Sequence, residues 1–432
     1  MSSETTGQQS TGQDSTGQRY SPWLAVGGVC AVYFSFGLTI GVMAPLVDEI
    51  SADLDLSRST MGSILGAWAL IYVFTAVPGG AVVDRLGLRW SLTIGGLSIA
   101  TSALLRGTAN GAPSLFAAVA IFGVGGPLVS IATPKLVASL FAEDERRLPT
   151  GVGVAAPALG SAVGLAITNP VLLPLVGGDW RGVMAIVGGV SMVATAIWFG
   201  ASRAAAHVRP GDTRTDKTTL IRLVRIRSVQ RVLAISLFSF FFSHGLSNWL
   251  PTLLEESGRS DAAAGYLAAL SVSVGIAGSL FIARLVPSHL RPHGLVVIFV
   301  VMAATTIGLT TLPLVLVVAS LGVLGFARAG TIPLLFLEIM GDDNLDVSDI
   351  GAATGLFFAV GEIGGFTGPY AAGYVADRTN GFAAVTVMFA IVALAAAAAS
   401  MSLLRERSHR SGTSVDAGLL NGQRPASRLQ MP

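Results

Sequence analysis

Twelve long apolar runs, spaced along almost the whole chain, limit what it can fold into more than any other feature. They cover residues 23–47, 61–83, 89–107, 114–140, 150–175, 180–202, 231–254, 263–286, 293–312, 314–340, 350–375 and 382–403. A helix needs about 20 apolar residues to cross the hydrocarbon of a bilayer, and each run supplies that length or close to it. Lipid offers no water to pair backbone N–H and C=O groups, so spanning segments are helices or closed barrels. These runs far exceed the strands of a barrel, roughly 10 residues each. Only 12% of the 432 residues are charged, against roughly a quarter in a soluble domain. Many of the 52 glycines fall inside the runs, where small residues let helices approach closely. The sequence therefore predicts an all-α membrane protein, twelve transmembrane helices in a lipid bilayer.

Charge placement gives the topology. Arg203, Arg209, Arg214, Lys217, Arg222, Arg225, Arg227 and Arg231 crowd the connection between runs six and seven, and Arg405, Arg407 and Arg410 follow run twelve. Asp48, Glu49, Asp53, Asp55, Glu255 and Glu256 gather at the other ends of the runs. The positive-inside rule then puts both termini and the long connection in the cytoplasm, with the chain in the plasma (inner cell) membrane. The expected organisation is a disordered polar tail over 1–22, a six-helix half over 23–202, a basic cytoplasmic linker over 203–230, a second six-helix half over 231–403 and a disordered tail over 404–432. No cleavable leader is expected, because the first run is too long and follows a polar rather than a short basic segment. The chain has no basic stripe able to track phosphates, so nucleic acid is not an expected partner. Cys30 is the lone cysteine, so an internal disulfide is excluded. No phosphate-cradling loop, metal-spaced His and Cys set or nucleophile triad is present, so an enzyme, a cofactor and a metal are not expected.

The halves look duplicated. Gly123-Val124, Gly126 and Pro134 in run four align with Gly322-Val323, Gly325 and Pro333 in run ten at one offset, which also sets Gly79 over Gly278 and Arg85 over Arg284. Asp84 falls over Ala283, so the second copy lacks that acid. Phe34-Ser35-x-Gly37-Leu38 in run one matches Phe242-Ser243-x-Gly245-Leu246 in run seven. Repeats of this kind build rocking transporters whose sites lie at the repeat interface near the midplane.

Between runs two and three stands Gly80-Ala-Val-Val-Asp84-Arg85-Leu-Gly87-Leu-Arg89. The turn is too short to leave the membrane surface, so Asp84 and Arg85 belong at the headgroup boundary, and Gly87 permits a tight reversal. The stretch resembles the signature of the major facilitator superfamily, with Leu88 where a second basic residue is common. The resemblance covers residues 23–403 and implies two pseudo-symmetric six-helix halves. It implies a gating role for Gly80, Asp84, Arg85, Gly87 and Arg89, with the aspartate holding the start of helix eleven from the cytoplasmic side. Run five, Gly151-x-Gly153 through Pro157, Gly160 and Gly164, resembles the family's glycine-rich fifth helix but lacks the Gly-Pro pair of its drug antiporters. The glycine-asparagine signatures of nitrate porters are absent. The overall look is nearest to the cyanate-transporter-like branch and organic-anion permeases.

An ionisable group near the middle of a membrane helix costs about 2.5–3.5 kcal/mol on insertion scales, so each one is a candidate for function. Arg328 lies mid-run, about 18 Å of helix short of Met340. It suits a carboxylate or another planar anion, or else a structural ion pair with Glu362 or another acid. Lys135 follows Pro134 near the end of its run; it is either a second positive point in the anion path or a side chain snorkelling to the headgroups. Glu362, in Gly361-Glu-Ile-Gly364-Gly365, is either a proton carrier or the charge partner of Arg328. His244 and Asn248 share one helix face and read as cavity wall or as polar glue between helices. Trp68 and Tyr72 also share a face, as cavity lining or as packing.

These readings together predict a secondary transporter that moves a small solute, an organic or inorganic anion, by alternating access, with protons as the candidate coupling ion. A monomer suffices for such a fold. Two other classes stay open. A multidrug or metabolite efflux antiporter would need an accessible acid and no arginine in the cavity. A non-transporting receptor or scaffold would need a soluble module or long binding loops, and the chain has neither.

Overall fold

The computed structural model describes residues 12–13, 19–205, 217–342, 344–346 and 349–420. Among them, eleven helical stretches are long and apolar enough to cross a membrane. The longest, Arg58–Arg106, breaks at Gly87, where φ is 76° and ψ 166°, and so counts as two. That backbone geometry lies in the left-handed region that glycine enters without a Cβ penalty.

Twelve helices result. They are α1 (Pro22–Gly41), prolonged by a tight turn into Val47–Leu54, α2 (58–86) and α3 (88–106). Then come α4 (Ala112–Leu140), α5 (Arg147–Ile167) and α6 (Trp180–Ala201). The second half holds α7 (Arg227–Glu256), α8 (Asp261–Leu285), α9 (Arg291–Ile307), α10 (Leu314–Met340), α11 (Ile350–Thr379) and α12 (Ala383–Leu420). Asn169-Pro170 prolongs α5 through a π-helical turn, Thr168–Leu172. Pro170 has no N–H to donate, and the helix widens there.

The expected tail over 1–22 lies largely outside the described residues; a two-residue antiparallel pair, Gly12–Gln13 with Arg19–Tyr20, is described within it. Part of the expected linker forms a short helix, Lys217–Arg225. Its Arg222 pairs with the buried Asp349, the residue that precedes α11. Glu338, close to the end of α10, is buried although its position in the sequence points to the membrane boundary.

Backbones meet at glycines. In the first half, a side chain on Gly37 of α1 would overlap the carbonyl of Pro157 in α5, and one on Gly160 the carbonyl of Phe34. In the second half, Gly364 and Gly368 of α11 face the carbonyls of Leu237 and Phe241 in α7 in the same way. The two halves thus repeat one packing device. Between halves, α2 packs on α11 and α5 on α8. The face where α1 begins is called here the connector face, since it also carries the Lys217–Arg225 helix; the other is the opposite face.

Candidate functional site

Helix α7 organises the centre of the molecule. Ser243 and Ser247 form one row along it and His244 and Asn248 the next, about 100° round the helix. Arg328 reaches the first row from α10. Its Nη1 donates to the Ser243 carbonyl at 3.2 Å and to Ser247 Oγ at 2.5 Å. Both partners are neutral, and no carboxylate among the described residues lies within ion-pair distance of it. Glu362 reaches the second row from α11, its Oε2 standing 3.5 Å from His244 Nδ1. Neither atom has a hydrogen-bond partner, and Glu362 is only 4% exposed. A Cβ on Gly365 would run into both side chains, so the glycine makes their room. The structural pair considered for Arg328 and Glu362 is therefore not formed, because α7 presents separate rows to them. Asn248 Nδ2 donates to the His244 carbonyl at 2.8 Å.

Aromatic rings surround the His244–Glu362 pair. Trp68 lies 5.1 Å from the His244 ring and Phe240 5.5 Å. Phe36 and Phe122 pack against Trp68, and Phe358 lies against both Tyr72 and Phe240. Tyr72 shares a 2.8 Å hydrogen bond with Ser130. Beside Arg328, between the halves, is a void of about 30 Å³ walled by Ser247 and Asn248 on one side and Ile40, Gly41 and Ser161 on the other. It has room for a water molecule or two, not for a larger solute.

Lys135 lies away from this centre of interaction. Its Nζ is 2.5 Å from Asp84 Oδ1, and the Asp84 side chain is 5% exposed. Among the described residues, Asp84 thus makes a contact inside the first half, from α2 to α4. Arg222 meets the start of α11. Arg85 is exposed, and Arg89 lies over the Phe199 ring at 4.4 Å while its carbonyl accepts from Trp198 Nε1. A Cβ on Gly80 would meet nothing within 4 Å, so no close approach requires that glycine here.

The opposite face carries a second latch. Asp377, near the end of α11, accepts from the backbone N–H of Arg58 at 3.1 Å and of Ser59 at 2.8 Å. It caps the amino terminus of α2 across the two halves, as a carboxylate does at exposed helix N–H groups. Gly373 lies against the Arg58 carbonyl with no space for a Cβ. Arg58 pairs with Glu256, which also accepts from Phe382 N at 3.2 Å. The segment reads Gly373-x-x-x-Asp377-Arg378-x-x-Gly381, the spacing of Gly80-x-x-x-Asp84-Arg85-x-Gly87 with one residue added before the last glycine. That likeness was available in the sequence and would have singled out Asp377. Asp377→Ala should remove about 1 kcal/mol of bias, about fivefold in population, from the state closed at this face. Spin-label distances between the outer ends of α2 and α11 should show that longer-distance fraction; an unchanged distribution would deny the latch a role.

Arg106 was also missed, since it stands next to the end of run three, where a charge draws no notice. It is 2% exposed, donates to the Thr39 carbonyl at 3.1 Å and lies over the Phe122 ring. It braces α3 against α1 and α4.

Residues 29–342, more than half of the chain, match the family model of the Major Facilitator Superfamily. The chain belongs to that superfamily. It is a membrane transporter and not an enzyme. Among relatives, a D-galactonate transporter of Escherichia coli is 25% identical, over 80% of this chain and 87% of its own. A 2-nitroimidazole transporter of Escherichia coli is also 25% identical, over 85% and 92%. A hexuronate transporter of Bacillus subtilis is 21% identical, over 85% and 90%. A solved structure of a bacterial homologue of the human lysosomal transporter Spinster shares the fold of this superfamily member, with a TM-score of 0.71, 16% identity and coverage of 89% of this chain and 98% of that one.

Proposed function

We propose that this transporter carries a small organic anion, that Arg328 binds it, and that the Glu362–His244 pair handles the coupling proton. One observation carries the reading. A guanidinium sits in the membrane interior with neutral partners only, and a buried cation without a counter-ion is costly unless a ligand supplies the charge. Relatives that carry galactonate and hexuronate support an acidic substrate. Exchange between two arrangements of the halves would enlarge the small void and expose it to each side in turn. Basic residues on the connector face support a cytoplasmic position for that face. With the latch at Asp377 and Arg58 closed, the molecule is then shut toward the outside. A monomer contains every group this mechanism needs.

A thermal-shift screen of purified protein tests the reading, because a ligand that binds only the native form raises its melting point. Small organic carboxylates should raise it by several degrees at about a hundredfold excess over Kd, equivalent to about 2.7 kcal/mol. Tetraphenylphosphonium should not. A rise with the lipophilic cation and none with any carboxylate would favour drug efflux, the activity named for a Bacillus subtilis relative at 25% identity.

A further inference from the structure

Four polar side chains join Arg328 on the wall of the void between the halves: Ser161 from α5, Ser247 and Asn248 from α7, and Ser271 from α8. A serine inside a helix commonly spends its hydroxyl on a carbonyl three or four residues back. Ser273 and Ser279 of α8 do so, on Ala269 and Ile276. Ser271 and Ser161 do not; among the described residues neither hydroxyl has a hydrogen-bond partner. Ser271 is nonetheless only 3% exposed. It is aimed at α10, where a Cβ on Gly325, one turn before Arg328, would come within 2.9 Å of its Oγ. Ser247 Oγ accepts from Arg328, and its own proton goes to no partner among the described residues. Asn248 is buried and gives one N–H to the His244 carbonyl, while its Oδ1 accepts nothing among them. Donors and an acceptor thus stand unmatched beside the guanidinium, and a buried polar group without a partner is costly. A ligand that displaces water from such groups gains affinity only if it reproduces the hydrogen bonds.

We infer that Ser271 and Asn248, with Ser161 across the seam, read a hydroxyl on the carbon next to the carboxylate of the cargo, so that the preferred substrate class is a 2-hydroxy acid. The inference rests on the anion reading above. The carboxylate takes the Arg328 guanidinium and the Ser247 proton. The neighbouring hydroxyl donates to Asn248 Oδ1 and accepts from Ser271, a pairing that needs a group able to do both. An acid without that hydroxyl leaves both partners unmatched and loses about tenfold in affinity. Ser161 belongs to the first half and the other groups to the second, so the bound hydroxy acid lies where the halves part.

The test uses full-length purified protein in detergent, with binding read by melting temperature and by tryptophan fluorescence. The probes are two pairs that differ by the one hydroxyl, lactate against propionate and galactonate against 2-deoxygalactonate, together with the neutral lactamide. In each pair that binds, the hydroxy acid should bind saturably and about tenfold more tightly than its partner. Ser271→Ala should bring the hydroxy acid down to the level of its partner and leave the partner unchanged, a loss of preference that a merely structural role would not produce. Asn248→Ala gives the same comparison should the first variant fold poorly. Equal binding within each pair, or a preference that survives both substitutions, overturns this inference and leaves the anion reading intact. Lactamide matching lactate shows that charge is not read and overturns both. The absence of any response from folded protein to all five compounds also overturns both.

Discussion

Arg328→Ala is expected to abolish substrate uptake, by at least about 100-fold, while the protein stays folded in the membrane. Removing one partner of a desolvated charged pair typically costs 2–5 kcal/mol of binding, which sets that factor. Folding should tolerate the change because the side chain pairs with a carbonyl and a hydroxyl, so its loss strands no buried carboxylate. Arg328→Lys keeps the charge but loses the planar fork that matches a carboxylate, and uptake should fall about tenfold. Expression level and melting temperature serve as the folding control in proteoliposomes. Ordinary uptake by the alanine variant would remove Arg328 from the substrate site.

Glu362→Gln should divide transport into two parts. The amide keeps the shape of the carboxyl but carries no titratable proton. His244, 3.5 Å away, would keep its place through ring packing on Trp68 and Phe240. Uptake driven by an inward proton gradient is expected to fall to the level seen without a gradient. Exchange of labelled for unlabelled substrate, which needs no net proton movement, should stay within about threefold of the parent. Gradient-driven accumulation that persists in this variant would take the coupling role from Glu362.

How much of this was legible in the sequence follows from the range of each physical signal. Apolar run length is local, so the twelve helices could be read directly, and the short turn at Gly87 could be placed because glycine alone enters that backbone region freely. The depth of Arg328 and Glu362 within their runs is local too, and it marked both as candidates. Partners are not local. Each helix has several neighbours, and nothing in the sequence said that Lys135 meets Asp84 while Arg222 meets Asp349. The same limit hid the separation of Arg328 from Glu362, which depends on two rows of α7 one residue apart. Arg106 was passed over for a related reason. Its end-of-run position looks solvated, yet α1 and α4 close over it.

The most direct test of the account measures exchange in proteoliposomes preloaded with an organic anion. Labelled D-galactonate and labelled benzenesulfonate, both poorly permeant through lipid, would be added outside vesicles holding an excess of the same unlabelled compound. The account predicts transient accumulation of at least one label, saturating with concentration, stimulated by the internal pool and absent with Arg328→Ala. Flux that rises linearly, ignores the internal pool and survives the substitution would contradict it.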